Sequence, residues 1–130
     1  MIRRNRQMRT ERCEHLKGGD GCVELIHILN EDEMYGMGRF FGITRLPPGA
    51  SNGLHTHHGD FETYYILSGT AQVCDNGTDV VVNPGDMVQC LSGQCHSIRN
   101  IGQDMLEYIA VILFNEKKTN PKDETGGSSN

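Results

Sequence analysis

Short apolar segments separated by turn residues recur along most of the chain. CVELIHIL at 22–29 and RFFGITRL at 39–46 are rich in β-branched and aromatic residues, and similar runs continue to LEYIAVILF at 106–114. The later runs alternate with Ser-Gly, Asp-Asn-Gly, Asn-Pro-Gly-Asp and Asn-Ile-Gly sequences, which are typical of turns. Asp-Asn-Gly at 75–77 indicates a β-hairpin. The pattern predicts an all-β fold, an antiparallel barrel or sandwich of about eight to ten strands.

Helical periodicity is weak, and one strand leaves its orientation open. Asn30 and Glu33 have the spacing of a capping box, which predicts a short helical turn before the strand at 39–46. In that strand Arg39 and Arg45 share one face, and both faces carry apolar residues. Alternation therefore does not decide whether these arginines point into the barrel, where either could bind a carboxylate or phosphate.

Length and charge divide the chain into a body and two polar ends. The 130 residues fit one domain, and 16 glycines with no tryptophan suit a β protein with many turns. Residues 1–17 carry six basic and two acidic side chains, residues 115–130 are balanced, and the total is −5, so 18–114 carries −9. We expect a basic N-terminal arm (1–17), a barrel (18–114) and a polar, disordered tail (115–130). The acidic body argues against nucleic-acid binding, and the arm is expected to be solvated, to cover a sheet edge or to contact a partner.

The cysteines and the terminal sequences indicate a reducing compartment. There are five cysteines, an odd number, and no export signal or membrane-length apolar run. These features predict reduced thiols, a cytoplasmic location and no membrane partner. Cys90 ends the strand before the turn that leads to His96, Cys95 directly precedes His96, and both should lie near the mouth of a metal site that contains His96. They are interpreted either as reactive or metal-tuning thiols or as small packing residues.

The densest chemistry lies in GLHTHHGDFE, residues 53–62. In a strand, residues two apart share a face, so His55 and His57 point the same way while His58 points elsewhere. Glu62 begins the next strand and can face the two imidazoles across a hairpin. His96, which follows a later turn, is the remaining candidate for a fourth ligand. Three neutral imidazoles and a carboxylate suit a divalent transition metal with open positions for substrate.

The spacing of these residues resembles the two motifs of the cupins. The first motif is matched by Gly49, His55, His57, Glu62 and Gly69, and the second by Gly85, Gly93, His96 and Asn100. Leu91 stands where the second motif has proline. The resemblance implies a cupin double-stranded β-helix, which is a jelly-roll-like barrel, with metal ligands His55, His57, Glu62 and His96. The implied cofactor is one divalent transition metal among Mn, Fe, Ni, Co, Zn and Cu. His15 and His27 match neither motif and are interpreted as structural.

The same resemblance allows several functions. The leading hypothesis is an enzyme that acts on a small polar metabolite, carboxylate or sugar-like, with the metal as Lewis acid in isomerase, lyase or decarboxylase chemistry. The alternatives are an Fe(II)-dependent dioxygenase and a non-catalytic module that binds or senses a small molecule. Tyr64 shares the face of Glu62 and is a candidate catalytic proton donor or a packing residue. Oxalate decarboxylase-like cupins carry an arginine three residues before the first ligand, where this chain has Asn52.

Small single-domain cupins commonly pair two barrels, and the resemblance implies a homodimer here. Met1, Ile2 and Met8 give the basic arm an apolar component, and the body it would contact is acidic. The arm could therefore add a strand to the partner's sheet. In the alternative arrangement the barrels alone form the dimer and the arm is loose.

Overall fold

Ten strands form two antiparallel sheets in the computed structural model, which describes residues 1–118. The strands are β1 (Arg9–Glu14), β2 (Cys22–Leu29), β3 (Gly38–Leu46), β4 (Ser51–Thr56), β5 (Asp60–Ser68), β6 (Ala71–Asp75), β7 (Thr78–Val82), β8 (Met87–Cys90), β9 (Cys95–Asn100) and β10 (Leu106–Phe114). The larger sheet has the order β1-β2-β3-β10-β5-β8, and the smaller has the order β4-β9-β6-β7. The all-β double-stranded β-helix expected from the sequence is confirmed.

Local sequence signals explain the turns between these strands. A 3₁₀ turn at Glu31–Met34 carries the expected capping box, in which the Asn30 amide donates to Glu33 Oε1 at 2.7 Å. The predicted hairpin joins β6 and β7, and Asn76 and Gly77 there have φ of 48° and 99°. Both values lie in the left-handed region that a tight two-residue hairpin requires, which asparagine and glycine tolerate best.

The core joins the inner faces of both sheets. Large buried side chains of the six-stranded sheet, such as Tyr64, Ile66 and Tyr108, pack in one cluster with Val73 and Ile98 of the four-stranded sheet. Their alternation with exposed neighbours is the period-two pattern of strands that are covered on one face. Burial of this apolar surface is what holds the two sheets together.

Two of the four register shifts between the described strands interrupt that alternation on β3 and β4. On β3, Phe40 pairs with Ile112 and Gly38 pairs with Leu113, so Arg39 has no partner on β10. On β4, Asn52 pairs with Ile98 and His55 with His96, so two residues of β4 face one residue of β9. A bulge changes the direction of the side chains beside it. Because of these two bulges, side chains an odd number of positions apart on one strand point into the same space.

The N-terminal arm forms the edge strand of its own chain's larger sheet. Strand β1 pairs with β2 from Arg9 opposite His27 to Glu14 opposite Cys22. His27 is buried, its ring contacts Phe40 edge-on at 5.2 Å between centroids, and its Nε2 bonds Glu11 Oε1 at 2.5 Å. These contacts attach the arm to the barrel and agree with the structural role expected for His27.

The C-terminal end of the described chain is tied to two loops. The amide of Asn115 donates to Gly59 O at 2.9 Å, and the amide of Lys118 donates to Gly36 O at 2.7 Å. The disordered tail expected for residues 115–130 lies, from residue 119 onward, outside the described residues. No helix within residues 1–118 is long and apolar enough to cross a membrane.

Candidate metal centre

Four side chains from both sheets converge at one end of the barrel. They are His55 on β4, His57 directly after β4, Glu62 on β5 and His96 on β9. The Nε2 atom of His96 lies 3.0 Å from Nε2 of His55, 3.1 Å from Nε2 of His57 and 3.0 Å from Glu62 Oε1. All four ligand atoms lie within 4.8 Å of one another. The sequence motifs thus name side chains that do meet in the fold.

In two of the imidazoles, a hydrogen bond at Nδ1 determines which ring nitrogen faces the cluster with a lone pair. Nδ1 of His55 lies 2.6 Å from the carbonyl oxygen of Gly53, and Nδ1 of His57 lies 2.6 Å from Asp60 Oδ1. Both partners are acceptors, so each Nδ1 carries a proton, and in the neutral ring Nε2 has the electron pair that a metal ion would take. His96 differs, because its buried Nδ1 has no partner among the described residues.

The turn of the second motif also fixes the backbone of the first. The amide of Gly93 donates to His57 O at 2.7 Å, and the amide of His57 donates to Gln94 O at 3.1 Å. Leu91 occupies the motif's proline position, and its amide donates to the side chain of Gln94 at 2.9 Å. The glutamine side chain therefore closes the turn that proline would have stiffened, and it does so next to His57.

Asp60 contacts the candidate metal ligands and is a residue that sequence reasoning missed. It is buried, its Oδ1 accepts from His57 as described, and its Oδ2 accepts from Arg39 Nε at 2.9 Å. Burial would raise the pKa of Asp60, but the bonds from Arg39 and His57 outweigh it and lower the pKa. A carboxylate that orients a ligand imidazole is a common second layer of metal sites. The available signal was an acidic residue three positions after a candidate ligand histidine.

Glu62 is kept ionised despite its burial. Only 5% of the residue is exposed, and this desolvation would raise the pKa of its carboxyl. The nearby imidazole of His55 and the closer contacts with His57 and His96 act in the opposite direction and hold that pKa well below its ordinary value. The same contact with Glu62 is the main cause that raises the pKa of His57. A buried carboxylate stays ionised only where opposite charge and hydrogen bonds compensate for its loss of solvation.

This donor set fits one divalent transition metal. Ligand bonds of about 2.0–2.2 Å to a common ion bring neighbouring donor atoms to roughly 3 Å from one another, and the separations of 3.0–3.2 Å among His57, His96 and Glu62 agree with that spacing. Three nitrogens and one oxygen suit ions such as Mn, Fe, Co, Ni, Cu and Zn. Four protein ligands leave positions open on an octahedral ion, where it can act as a Lewis acid toward bound oxygen atoms.

A cavity of about 130 Å³ lies beside this cluster and is lined by His55, His57 and Glu62. That volume is several times what one water molecule needs. Its other polar lining residues are Lys17, Arg39, Thr44, Asn52 and Tyr108, and its apolar lining residues are Leu16, Leu25, Phe40 and Ile112. Sequence reasoning identified few of these, because they come from bulged strands, from the arm and from apolar runs that carry no motif.

The remaining candidate residues have distinct environments. His58 is exposed and outside the cluster, as expected. Arg39 lines the cavity, whereas Arg45 bonds Glu24 and Glu107, which answers the question of orientation that the strand pattern left open. Arg45 is therefore engaged by two carboxylates outside the cavity.

Tyr64 lies behind the metal-ligand cluster. Its ring stacks on His96 at 5.1 Å between centroids, with 14° between the planes, and it is 1% exposed. Burial, and then the charge of Glu62, raise the pKa of its hydroxyl well above the ordinary value. Tyr64 is not among the described residues that line the cavity. A catalytic role for Tyr64 stays a prediction, and this position favours packing.

Cys90 does not have the environment of a reactive thiol. Cys90 is 2% exposed, and burial, followed by the charge of Glu62, raises the pKa of its thiol to about 11. A thiol with so high a pKa carries little thiolate near neutral pH. Cys95 is half-buried next to Asn76. Packing is the better interpretation of Cys90.

Comparison with known proteins identifies the family. Residues 42–112 match the family model described as Cupin domain, a range that contains all four cluster residues. The chain belongs to the cupin family. This cupin is 44% identical over 114 residues to a protein of Thermotoga maritima named oxalate-binding protein, and the alignment covers 88% of this chain and 94% of that one.

Solved cupin structures agree with the fold. A Thermotoga maritima crystal structure described as a predicted oxalate decarboxylase is 44% identical, with a TM-score of 0.84 over 88% of this chain and 99% of that chain. A Klebsiella pneumoniae protein with a double-stranded β-helix domain is 21% identical, with a TM-score of 0.58 over 64% and 72% of the two chains. At that lower identity the likeness concerns the fold alone.

Replacing any one of His55, His57, Glu62 and His96 by alanine should abolish most metal binding. We expect affinity for Zn²⁺ or Mn²⁺ to fall more than about 100-fold, since loss of a direct ligand exceeds the 10–100-fold typical of outer residues. Metal titration of the apo variants and elemental analysis measure this. His58→Ala is the matched control and should bind like the native chain. Equal losses in the control would show that the cluster is not the site.

Asp60→Asn should weaken metal binding about 10–100-fold without removing a ligand. The substitution keeps the side chain's shape but removes the negative charge that orients the His57 imidazole and bonds Arg39. Asp79→Asn, on the exposed face of β7, makes the same charge change as a control. Native metal affinity in Asp60→Asn, measured by the same titration, would contradict this role for Asp60.

Proposed function

We propose that this cupin binds a small dicarboxylate of the oxalate class next to a divalent metal ion held by His55, His57, Glu62 and His96. The observation that carries the proposal is the charge of the cavity. Two cationic side chains, Lys17 and Arg39, line it together with the ligand candidates, and the ion would add two further positive charges. A small anion compensates this charge, and a metal with open positions binds carboxylate oxygens directly.

Arg39 is suited to carboxylate recognition by the way it is held. Its Nε donates to buried Asp60, which fixes the plane of the guanidinium at the cavity wall. The terminal nitrogens NH1 and NH2 donate to no residue within 1–118, so they remain available to a ligand. A planar guanidinium with two free amino groups matches the geometry of a carboxylate, and a pre-oriented one loses less entropy on binding.

The relative named oxalate-binding protein supports this ligand class. The sequence argued against oxalate decarboxylase-like chemistry because Asn52 replaces an arginine near the first ligand. Arg39 lines the same cavity as Asn52 but comes from another strand, so an arginine is available to a carboxylate by a different route. Oxalate is therefore the first ligand to test on this chain.

Binding without turnover is the form of the function that the cavity favours. Decarboxylation or isomerisation needs a group that transfers a proton near the bound ligand. Of the two carboxylates near the cavity in the described chain, Glu62 belongs to the proposed ligand set and Asp60 is bonded to His57 and Arg39. The Tyr108 hydroxyl has its pKa raised by burial and is a weak acid there. We expect a protein that binds or senses its ligand without turnover. Lewis-acid catalysis is the alternative, which an assay for turnover tests.

Metal-loaded protein should bind oxalate, and chelated protein should not. Calorimetry with Mn²⁺-loaded chain measures this, and assays for formate and carbon dioxide on the same sample test turnover. Arg39→Gln should weaken oxalate binding at least about tenfold, the effect of losing one charged contact worth roughly 1.4 kcal/mol. Arg45→Gln, which changes the other arginine of β3, should leave it unchanged. No oxalate binding by the loaded native chain would overturn the proposal.

The chain is also proposed to form a homodimer. Tyr65, Leu67 and Met87 are between 41% and 61% exposed on neighbouring strands β5 and β8, at the edge of the larger sheet. An exposed apolar patch on a sheet that ends in a free edge is a common interaction surface. Sedimentation at micromolar concentration should give twice the chain mass, and Tyr65→Lys with Met87→Lys should give the monomer. A monomeric native chain would contradict the dimer.

A further inference from the structure

A short segment between β1 and β2 closes over the smaller sheet. This strap, residues 15–21, contacts β4 by close backbone approach at two glycines. A Cβ atom on Gly53 would lie 2.2 Å from Lys17 O, and one on Gly19 would lie 2.2 Å from Ser51 O. The Ser51 amide donates to Asp20 O and the Asp20 amide to Ser51 Oγ, at 2.9 and 2.8 Å. Glycine is needed at both contact points because no side chain fits.

The strap holds a lysine in a backbone conformation that L-residues avoid. Lys17 has φ 53° and ψ 33°, and His15 has φ 53° and ψ 46°. Both are left-handed conformations, which are unfavourable for residues with a Cβ. Bonds within the strap impose them, since His15 Nδ1 bonds Gly19 O at 3.0 Å and the Gly18 amide donates to His15 O at 2.9 Å. Backbone strain that the surroundings enforce is often found where a side chain has a function.

The strained residue lines the cavity of the metal centre. Leu16 and Lys17 form part of its wall, together with His55, His57 and Glu62. Leu16 packs against the core cluster, which fixes the strap at this point. The ammonium group of Lys17 makes no ion pair with any carboxylate in the described chain, whereas Arg39 already bonds Asp60. Lys17 is exposed, and it is the cation of this cavity that no carboxylate within residues 1–118 neutralises.

We propose that Lys17 recognises the carboxylate that the metal does not hold, and that the strap is the element that selects dianions over monoanions. The inference rests on the proposed function and names the residue that decides its ligand class. One carboxylate of the ligand binds at the metal, and the second lies within the field of the ammonium. The alternative is that Lys17 is a solvated lysine on a loop that only covers β4. In that case, replacing Lys17 would not change ligand affinity.

Lys17→Met should weaken binding of oxalate to Mn²⁺-loaded protein about tenfold, as expected for one partly solvated charge pair. Binding of formate, which has one carboxylate, should change less than about twofold, because the metal holds that group. Arg12→Met removes the same charge from β1, away from the cavity, and should leave both affinities unchanged. Equal losses in Lys17→Met and Arg12→Met would overturn the proposal in favour of a general charge effect.

Lys17→Gly separates recognition from folding. Glycine adopts the left-handed conformation freely, so the melting temperature should stay equal to or above that of the native chain. Oxalate affinity should nevertheless fall as in Lys17→Met. If stability fell while oxalate affinity stayed native, Lys17 would be a structural residue and the proposal would be wrong.

Gly53→Ala tests the strap itself. The added methyl must displace Lys17 O, whereas Gly102→Ala meets only ordinary contacts from 3.5 Å outward and serves as the control. Because Gly53 O also bonds His55, metal content is measured first. In metal-loaded samples, Gly53→Ala should lower oxalate affinity as Lys17→Met does, and the double variant should lose no more than either single one. Additive losses would show that the strap and Lys17 act separately.

The outcomes separate this inference from the function on which it rests. If native metal-loaded protein does not bind oxalate, the proposed function fails and the inference fails with it. If the native chain binds and Lys17→Met binds equally well, only the role of Lys17 is refuted. A selective loss for oxalate, with formate binding kept, supports both.

Discussion

The buried carboxylate of Glu62 is the constraint on which the rest of the structure depends. An ionised group that is 5% exposed inside a barrel is unstable unless opposite charge and hydrogen bonds surround it. The compensating imidazoles come from β4, from the turn after it and from β9, which all belong to the other side of the sandwich. The two sheets must therefore meet in one register at this end, while the apolar cluster of Tyr64, Ile98 and their neighbours fills the rest.

Acidic and basic side chains alternate from Glu62 outward to the cavity wall. His57 contacts Glu62 on one side and Asp60 on the other, and Asp60 contacts Arg39. Each group stabilises the ionisation state of the next, so the position of a wall arginine is coupled to the orientation of a ligand imidazole. The proposed metal binding and the proposed anion recognition would in this sense be two ends of one network. A ligand that contacts Arg39 thereby reaches the residue that orients His57.

The sequence predicted what period-two alternation and motif spacing control, and it missed what bulges control. Strand positions and the hairpin at Asn76-Gly77 follow from local rules. The convergence of His96 with the other ligand candidates was implied by the spacing of the two cupin motifs. The direction of Arg39 does not follow from local rules, because it is an unpaired residue opposite a register shift between β3 and β10. Bulges arise from pairing with strands far away in sequence, so alternation within one strand cannot show them. Asp60 could have been found from its spacing to His57, whereas Tyr108 lies in an apolar run without any polar signal.

The predicted boundary between arm and barrel at residue 17 was based on the distribution of charge along the sequence. The contacts of the strap show where part of that charge lies in the fold. Six basic residues before Gly18 looked like an appendage to an acidic body. In the structure their backbone continues the larger sheet through β1, and the last of them, Lys17, reaches the cavity wall. The acidic body, with Arg39, Arg45 and Arg99 as its basic residues, has few cations to offer an anion at the proposed site. The basic segment that glycine contacts hold against β4 adds Lys17 to the body's own Arg39 at the cavity wall.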